Sequence, residues 1–200
     1  LKLVGSADAP LEPWLEAAGG PAAEPGKTGE VTLDLEPGRY WYFSTESGEG
    51  EGAKSDSELG MKGELTLEGD SGAEFPVAAP ASILASDYHF KFDGFEAGEN
   101  TIAFRNAGQQ LHHALFFPLL PGKTVEDAKQ AFEAEGEPSG PPPVDFEKGV
   151  GTTVINPGQT MIVHLELPAG SYVAVCFMPD KGTAGPPHAA KGMLAELKVE

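Results

Sequence analysis

Short runs of apolar residues, separated by clusters of turn-forming residues, recur along the chain. They are rich in Val, Ile, Phe and Tyr, which favour β-strands, and 26 Gly and 18 Pro residues punctuate the sequence. The runs cover Thr32–Leu35, Tyr40–Ser44, Ser86–Phe92, Thr101–Arg105, Ala114–Leu119, Met161–Leu167 and Tyr172–Phe177. Strands of this length and spacing predict an all-β sandwich.

One segment carries the signals of a helix instead of a strand. It runs from Val125 to about Ala134 and follows Thr124, which can cap a helix, with Asp127 three residues on in an arrangement close to a capping box. The Pro-rich stretch 137–144 then breaks the helix and has the length of a surface loop. We therefore predict one short helix within the sandwich.

The chain also contains an internal repeat with an offset of 132 residues. The apolar alternation of residues 31–35 recurs at 163–167 without any gap. The matched pairs are Gly38 with Gly170, Tyr40 with Tyr172, Gly60 with Gly192 and Met61 with Met193. We predict two homologous units: residues 1–73 hold only the C-terminal half of one copy, and residues 74–200 hold a complete copy.

The two copies differ in their reactive side chains. At the same offset Cys176 is matched by Ser44, and His188 is matched by Asp56. The first copy therefore keeps the scaffold without the thiol and the imidazole, which indicates that Cys176 and His188 act as a functional pair. Because half a sandwich exposes strand edges, we expect it to be completed by the second domain, by a second chain in a homodimer, or by a missing upstream segment.

Charge and hydropathy exclude some classes of partner. The net charge of −18, from 31 acidic and 13 basic residues, argues against nucleic acid and favours solubility and cationic partners. No run approaches the roughly 20 apolar residues that span a bilayer, so no membrane span is predicted. The chain begins at Leu1 rather than Met, from which we expect a processed or trimmed chain that has lost any export signal it had.

The single cysteine is the centre of the candidate chemistry. With no second thiol, Cys176 can be a buried thiol, a metal ligand, a nucleophile or an intermolecular link. It is followed by His188, with eleven residues between them, and then by Met193. A thiolate and an imidazole with a distant thioether suit copper, which then needs a second imidazole. Either His112 or His113 can supply it, and only one should point inward because side chains alternate along a strand.

With these residues in place, the segment 74–200 resembles the cupredoxin family. The element Asn106-x-Gly108-x-x-x-His112 is similar to the first-histidine strand of plastocyanin-like proteins. The Cys-loop-His-x-x-x-Gly-Met end is similar to the type 1 copper loop of plastocyanins, azurins and copper nitrite reductases. The resemblance implies a Greek-key β-sandwich, preceded by a partial second cupredoxin-like unit, with one mononuclear type 1 copper. Carried over, the ligands would be His112 (or His113), Cys176, His188 and axial Met193.

The function implied by the resemblance is one-electron transfer. Four protein ligands leave no open coordination position for a substrate. The solvent-facing edge of His188 is expected to be the electron port, where a redox partner protein docks. The expected apolar rim of this port consists of Pro186, Pro187, Ala189 and Ala190.

An enzymatic role is disfavoured. Copper oxidases and nitrite reductases place a histidine beside the type 1 cysteine, whereas Cys176 is flanked by Val175 and Phe177. The alternative is a metal-free cupredoxin-like module for binding or assembly in the cell envelope, in which Cys176 is an inert thiol. Family members mostly work outside the cytoplasm, so we expect a periplasmic, cell-envelope or secreted location.

Overall fold

The computed structural model describes residues 13–14, 16–22, 28–44, 53–69, 74–75, 79–133, 140–183 and 185–200. Among them, no helix has the length and hydropathy of a transmembrane span. The elements are β1 Val31–Leu33, β2 Gly38–Phe43, β3 Lys62–Leu67, β4 Ala81–Ser86, β5 His89–Asp93, β6 Gly98–Asn106, β7 Leu115–Pro118, α1 Val125–Glu133, β8 Val150–Gly151, β9 Thr160–Leu167, β10 Gly170–Val175 and β11 Leu194–Val199. Two short 3₁₀ helices cover Phe146–Lys148 and His188–Lys191.

The chain forms two compact units. The described residues of 35–74 belong to the smaller unit, and those of 10–34 and 75–200 belong to the larger one. In the larger unit one sheet has the strand order β1-β9-β6-β4-β5, and the other has the order β11-β10-β7-β8. The neighbouring strands are antiparallel except β4 and β6, which are parallel. Within the part of the chain that the structure describes, the predicted all-β sandwich with one short α-helix is confirmed.

The core of the larger unit lies between its two sheets. Along β4, Ala81, Ile83 and Ala85 are buried and alternate with more accessible residues, as expected of a strand with one face in the core. Phe104 of β6 packs in the same buried cluster as Phe116 of β7. Because both sheets contribute to one apolar layer, burial of these side chains holds the sheets face to face.

Helix α1 begins at the predicted cap. The Thr124 hydroxyl accepts a hydrogen bond from the Asp127 amide at 3.2 Å, and the Asp127 carboxylate accepts one from the Thr124 amide at 2.7 Å. This reciprocal pair is a capping box and satisfies amides at the start of the helix. Helix residue Ala128 packs in a second apolar cluster with Val173 and Val175 of β10, and the predicted end at Ala134 lies outside the described residues.

The prediction of a single strand over Ser86–Phe92 is wrong. The segment contains the end of β4, a two-residue turn and most of β5, with Ser86 paired to His89. The turn consists of Asp87 and Tyr88, and Tyr88 has a left-handed φ of 66°. Gly or Asn would have signalled such a turn in the sequence, whereas Tyr rarely adopts this conformation. The chain therefore reverses at a point where its composition favours a strand.

The smaller unit contains the hairpin of β2 and β3. Gly38 pairs with Leu67 there, and in the larger unit Gly170 pairs with Val199, so both hairpins have the same register 132 residues apart. A shared detail is the tyrosine hydroxyl that donates to the carbonyl four residues earlier, from Tyr40 in one unit and Tyr172 in the other, each at 2.7 Å. This is the register that the predicted repeat requires.

Strand β1 lies within the larger unit. It was assigned from the sequence to the first copy, and it pairs with β9 through Val31 and Val163, Thr32 and Ile162, and Leu33 and Met161. It therefore extends the sheet of the complete sandwich. The division of the chain into repeats 1–73 and 74–200 stays a prediction.

Candidate metal centre

Three potential ligand atoms meet where β10 ends and where β7 and β11 begin. The Cys176 Sγ lies 3.8 Å from the His112 Nδ1 and 3.5 Å from the His188 Nδ1. The two Nδ1 atoms are 3.2 Å apart. All three side chains are 0% exposed. The structure thus brings together three of the residues that the sequence singled out, in a buried cluster.

The loop from Cys176 to Met193 is folded back by backbone hydrogen bonds. The Ala189 amide donates to the Cys176 carbonyl at 2.8 Å, and the Met193 amide donates to the His188 carbonyl at 2.9 Å. Gly192 allows the sharp exit from the 3₁₀ helix because it has a left-handed φ of 96°. These bonds return His188 to the side of Cys176 although eleven residues separate them.

His112 is positioned by a bridge to Ile155. Each residue's amide donates to the other's carbonyl, at 3.3 Å and 3.0 Å. The buried Asn106 side chain donates to the carbonyls of Gln110 and Ile155 and accepts from the Gly108 amide at 2.9 Å. Because the Asn106 side chain satisfies the backbone of this loop, it fixes the approach of the chain to His112.

His113 points away from the cluster. Its Nε2 accepts a hydrogen bond from the Phe177 amide at 2.8 Å. Burial, together with the nearby imidazoles of His188 and His112, lowers the pKa of His113 to about 4, so the ring is a neutral acceptor at physiological pH. The strand alternation expected from the sequence therefore directs His112, rather than His113, towards Cys176.

The far nitrogen of His112 contacts a carboxylate. The His112 Nε2 donates to the Asp87 Oδ1 at 3.0 Å, and the amides of Gln109 and Gln110 also donate to Asp87. Burial opposes ionisation of Asp87, but the hydrogen bonds from Gln109, His112 and Gln110 outweigh it and hold its pKa below the usual value. The carboxylate is therefore ionised and accepts the Nε2 hydrogen.

His188 has the same arrangement with a different carboxylate. Its Nε2 donates to the Asp180 Oδ1 at 3.1 Å, and the Tyr88 hydroxyl donates to the same oxygen at 2.9 Å. Lys191 forms an ion pair with the Asp180 Oδ2. Burial opposes ionisation of Asp180, but the hydrogen bonds from Lys191 and Tyr88 outweigh it and lower its pKa.

In the metal-free protein the three potential ligand atoms carry only one proton between them. Burial lowers the pKa of His112 and raises the pKa of Cys176 to about 11. Burial, together with the repulsion that a protonated His112 would exert, lowers the pKa of His188 to about 4. At neutral pH both rings are therefore neutral, while the thiol keeps its proton. The ring hydrogens lie on Nε2, where the carboxylates of Asp87 and Asp180 accept them. Three acceptor atoms share one proton, and a cation that displaced this proton would satisfy all three.

The donor set fits a soft or borderline metal ion. Imidazole and thiolate ligands bind at about 2.0 and 2.3 Å, so in a three-coordinate site they lie about 3.5 Å from one another. The observed separations are 3.2 to 3.8 Å. Two imidazoles and one thiolate are the equatorial donors of a blue-copper site. Geometry and chemistry thus both fit copper.

Met193 is buried at 0% exposure and packs in the same core cluster as Cys176. Its carbonyl accepts a hydrogen bond from the Cys176 amide at 3.3 Å. The backbone therefore holds Met193 beside the cluster. Its role as the axial ligand stays a prediction.

The expectation that the edge of His188 faces the solvent is wrong. Its side chain is 0% exposed because Asp180 occupies its Nε2 side and the Tyr88 ring packs edge-on at 5.2 Å between centroids. The Lys191 Nζ lies 5.2 Å from the Tyr88 centroid. In the predicted rim Ala189 is also buried. Tyr88 and Asp180 therefore contact the His188 ring, and Lys191 pairs with Asp180.

The Gly108→Ala substitution is expected to disturb the centre. A Cβ at this position would lie 2.2 Å from the Asp87 Oδ1 and 2.8 Å from the His112 Nε2, so it would separate these two groups. We expect a loss of about 1–3 kcal/mol in the free energy of unfolding. We also expect copper affinity to fall about 10- to 100-fold, as is typical when a residue that hydrogen-bonds to a metal ligand is disturbed.

Urea unfolding of the metal-free protein and copper competition with a chelator measure these two effects. The matched control is Gly140→Ala, because a Cβ there meets no atom within 4 Å. If the two variants behave alike, the close contact of Asp87 with His112 does not matter for the centre.

Sequence reasoning missed four residues around the cluster, which are Asp87, Tyr88, Asp180 and Lys191. Asp87 and Tyr88 lie in the turn that was taken for a strand. Asp180 and Lys191 lie in the loop between Cys176 and Met193, where charged residues are expected to be solvated surface residues. No local signal marks them, because their partners can be 92 or more positions away, as for Tyr88 and Asp180.

No family model and no curated protein matches the sequence. Reduced auracyanin from the photosynthetic bacterium Roseiflexus castenholzii is 19% identical over 60% of this chain and 94% of its own, with a TM-score of 0.37. Reduced rusticyanin is 18% identical over 60% and 76%, with a TM-score of 0.32. The copper nitrite reductase from Nitrosomonas europaea is 16% identical over 82% and 62%, with a TM-score of 0.30. These matches are cupredoxins and other copper proteins, the class that the sequence resembles.

Proposed function

We propose that this protein binds one copper ion in a type 1 site and carries single electrons. The observation that carries the proposal is the buried cluster of one thiol and two neutral imidazoles, whose ligand atoms lie 3.2 to 3.8 Å apart. Soft sulfur favours Cu(I), and imidazole accommodates both oxidation states. The proposed ligands are His112, Cys176 and His188, with Met193 in the axial position.

Bound copper would supply the one-electron Cu(II)/Cu(I) couple. The chain's own residues hold the ligand atoms: strand β10 presents Cys176, the Ile155 bridge holds His112, and the 3₁₀ helix holds His188. Full burial of these side chains excludes water from the centre. A rigid, dry ligand set needs little rearrangement when the charge of the metal changes, which suits electron transfer.

An electron carrier is favoured over an enzyme. His112, Cys176 and His188 are 0% exposed, so the described residues around the proposed metal leave these ligands closed to a substrate. Cys176 is flanked by Val175 and Phe177, and neither side chain can relay electrons to a second copper as a histidine can. With four protein ligands the metal would have no open position.

The partner, location and domain organisation are part of the same proposal. A redox partner would dock over Tyr88, Asp180 and Lys191, which cover His188. The net charge of −18 favours a cationic partner protein. We further propose an extracytoplasmic location, and a degenerate N-terminal half-copy that a second chain or an upstream segment completes.

Titration of the metal-free protein with Cu(II) tests the function. We expect one equivalent to produce an intense visible absorption band, because a copper–thiolate bond absorbs by charge transfer. Ascorbate should bleach the band and ferricyanide should restore it with one electron per protein. Zn(II), which has no redox chemistry, is the control and should give no colour. A chain that gains no band at stoichiometric Cu(II) would instead be the metal-free binding module.

A further inference from the structure

Each imidazole of the cluster is backed by a carboxylate on the side away from Cys176. The Asp87 Oδ1 is 3.0 Å from the His112 Nε2, and the Asp180 Oδ1 is 3.1 Å from the His188 Nε2. The two carboxylates come from the β4–β5 turn and from the loop after β10. Two separate parts of the chain thus supply the same contact.

A carboxylate at this place selects one tautomer. An ionised carboxylate only accepts hydrogen bonds, so an imidazole with an unprotonated Nε2 would direct a lone pair at a negative oxygen. With the hydrogen on Nε2, the lone pair of Nδ1 is free. Because this holds for His112 and His188 alike, both Nδ1 atoms offer a free lone pair within the cluster that they form with the Cys176 Sγ.

Both carboxylates are themselves held in place. Asp87 accepts hydrogen bonds from the amides of Gln109 and Gln110. It also packs so closely against Gly108 that a Cβ at position 108 would lie 2.2 Å from the Asp87 Oδ1. Asp180 accepts the Tyr88 hydroxyl and pairs with Lys191. Each carboxylate is therefore anchored on its imidazole by at least two further contacts.

We propose that Asp87 and Asp180 are positioning residues of the metal centre, which hold His112 and His188 in the Nε2–H tautomer and bias the bound copper towards Cu(II). The first effect concerns the protein alone, whereas the second rests on the proposed copper function. The negative charge behind each ring makes the ring a stronger donor and stabilises the oxidised, more positive centre.

NMR spectroscopy of the metal-free protein tests the tautomers without any copper. Imidazole ¹⁵N shifts at neutral pH should show a pyrrole-type Nε2 and a pyridine-type Nδ1 at both His112 and His188. Asp180→Leu should lose this pattern at His188, and Asp180→Asn, which keeps an acceptor oxygen, should retain it. An Nδ1–H form at either ring of the native protein, or an unchanged pattern in Asp180→Leu, overturns the positioning role.

The reduction potential tests the charge effect on the copper-loaded protein. Asp87→Asn and Asp180→Asn should keep the visible band. Each should also raise the ratio of Cu(I) to Cu(II) affinity about tenfold, a positive shift of about 59 mV for one electron. The control is Asp93→Asn, an exposed aspartate at the end of β5.

The outcomes separate the two proposals. Potentials that shift no more than in Asp93→Asn, with the band intact, overturn the bias towards Cu(II). A native protein that forms no copper band contradicts the proposed function, and the metal-free NMR result then decides by itself whether both rings hold the Nε2–H tautomer and whether Asp180 positions His188.

Discussion

A Cys176→Ser variant titrated with Cu(II) is expected to show none of the intense visible absorption of the native protein. The band requires a copper–thiolate bond, and a serine oxygen is too hard and too weakly acidic to replace the thiolate. The fold should tolerate this change, because the matching position of the smaller unit is Ser44, whose hydroxyl donates to Asp56 at 3.1 Å. Absorption spectra at one equivalent of Cu(II) measure the effect.

The control for this variant is its folding. Far-UV circular dichroism of Cys176→Ser should match that of the native protein, since the two side chains have similar size and the buried position would lose no packing volume. A variant that is folded and still forms the band would mean that the colour arises from ligands other than Cys176, which contradicts the proposed type 1 site.

Replacement of the two adjacent histidines should affect different properties, namely copper affinity for His112 and stability for His113. His112→Ala removes a proposed ligand. The copper affinity of this variant should therefore fall by more than the roughly 10- to 100-fold that is typical when a hydrogen-bond partner of a ligand is changed. His113→Ala should still form the visible band. It should however unfold more easily, by about 1–3 kcal/mol, because the Phe177 amide loses its acceptor.

Two measurements on each variant separate these effects, and each histidine serves as the matched control of the other. Competition with a chelator reports copper affinity, and urea unfolding of the metal-free protein reports stability. If His113→Ala loses copper while His112→Ala keeps it, the ligand assignment is reversed.

Most strands were predictable because their physics is local. Strand β9 has an almost continuous apolar run, and the predicted Met161–Leu167 differs from the observed Thr160–Leu167 by one residue. Helix α1 was located by its capping box at Thr124. The β4–β5 hairpin was missed because the reversal at Tyr88 depends on a left-handed tyrosine that contacts in the folded protein support.

The candidate ligands were visible for two different reasons. Cys176 and His188 were paired by their joint absence from the first copy, whereas Met193 and the choice of His112 or His113 followed from the loop spacing and the need for a second imidazole, and agreed with the family resemblance. The choice between His112 and His113 needed the structure. Alternation along a strand says that one of two neighbours points inward, but only the bridge to Ile155 decides which.

The fold class, the helix and the residue types of a candidate metal site were predictable from the amino-acid sequence, because periodicity, capping and ligand spacing are properties of neighbouring residues. The folded protein was needed to show that Asp87 contacts His112, that Asp180 contacts His188, and that Tyr88 covers a histidine expected at the surface. Such contacts join residues that are far apart in the chain, and Tyr88 and Asp180, for example, are separated by 92 positions. Hydrogen bonds of this kind depend on how turns and loops converge when the sheets pack, and no local pattern of side chains encodes that convergence.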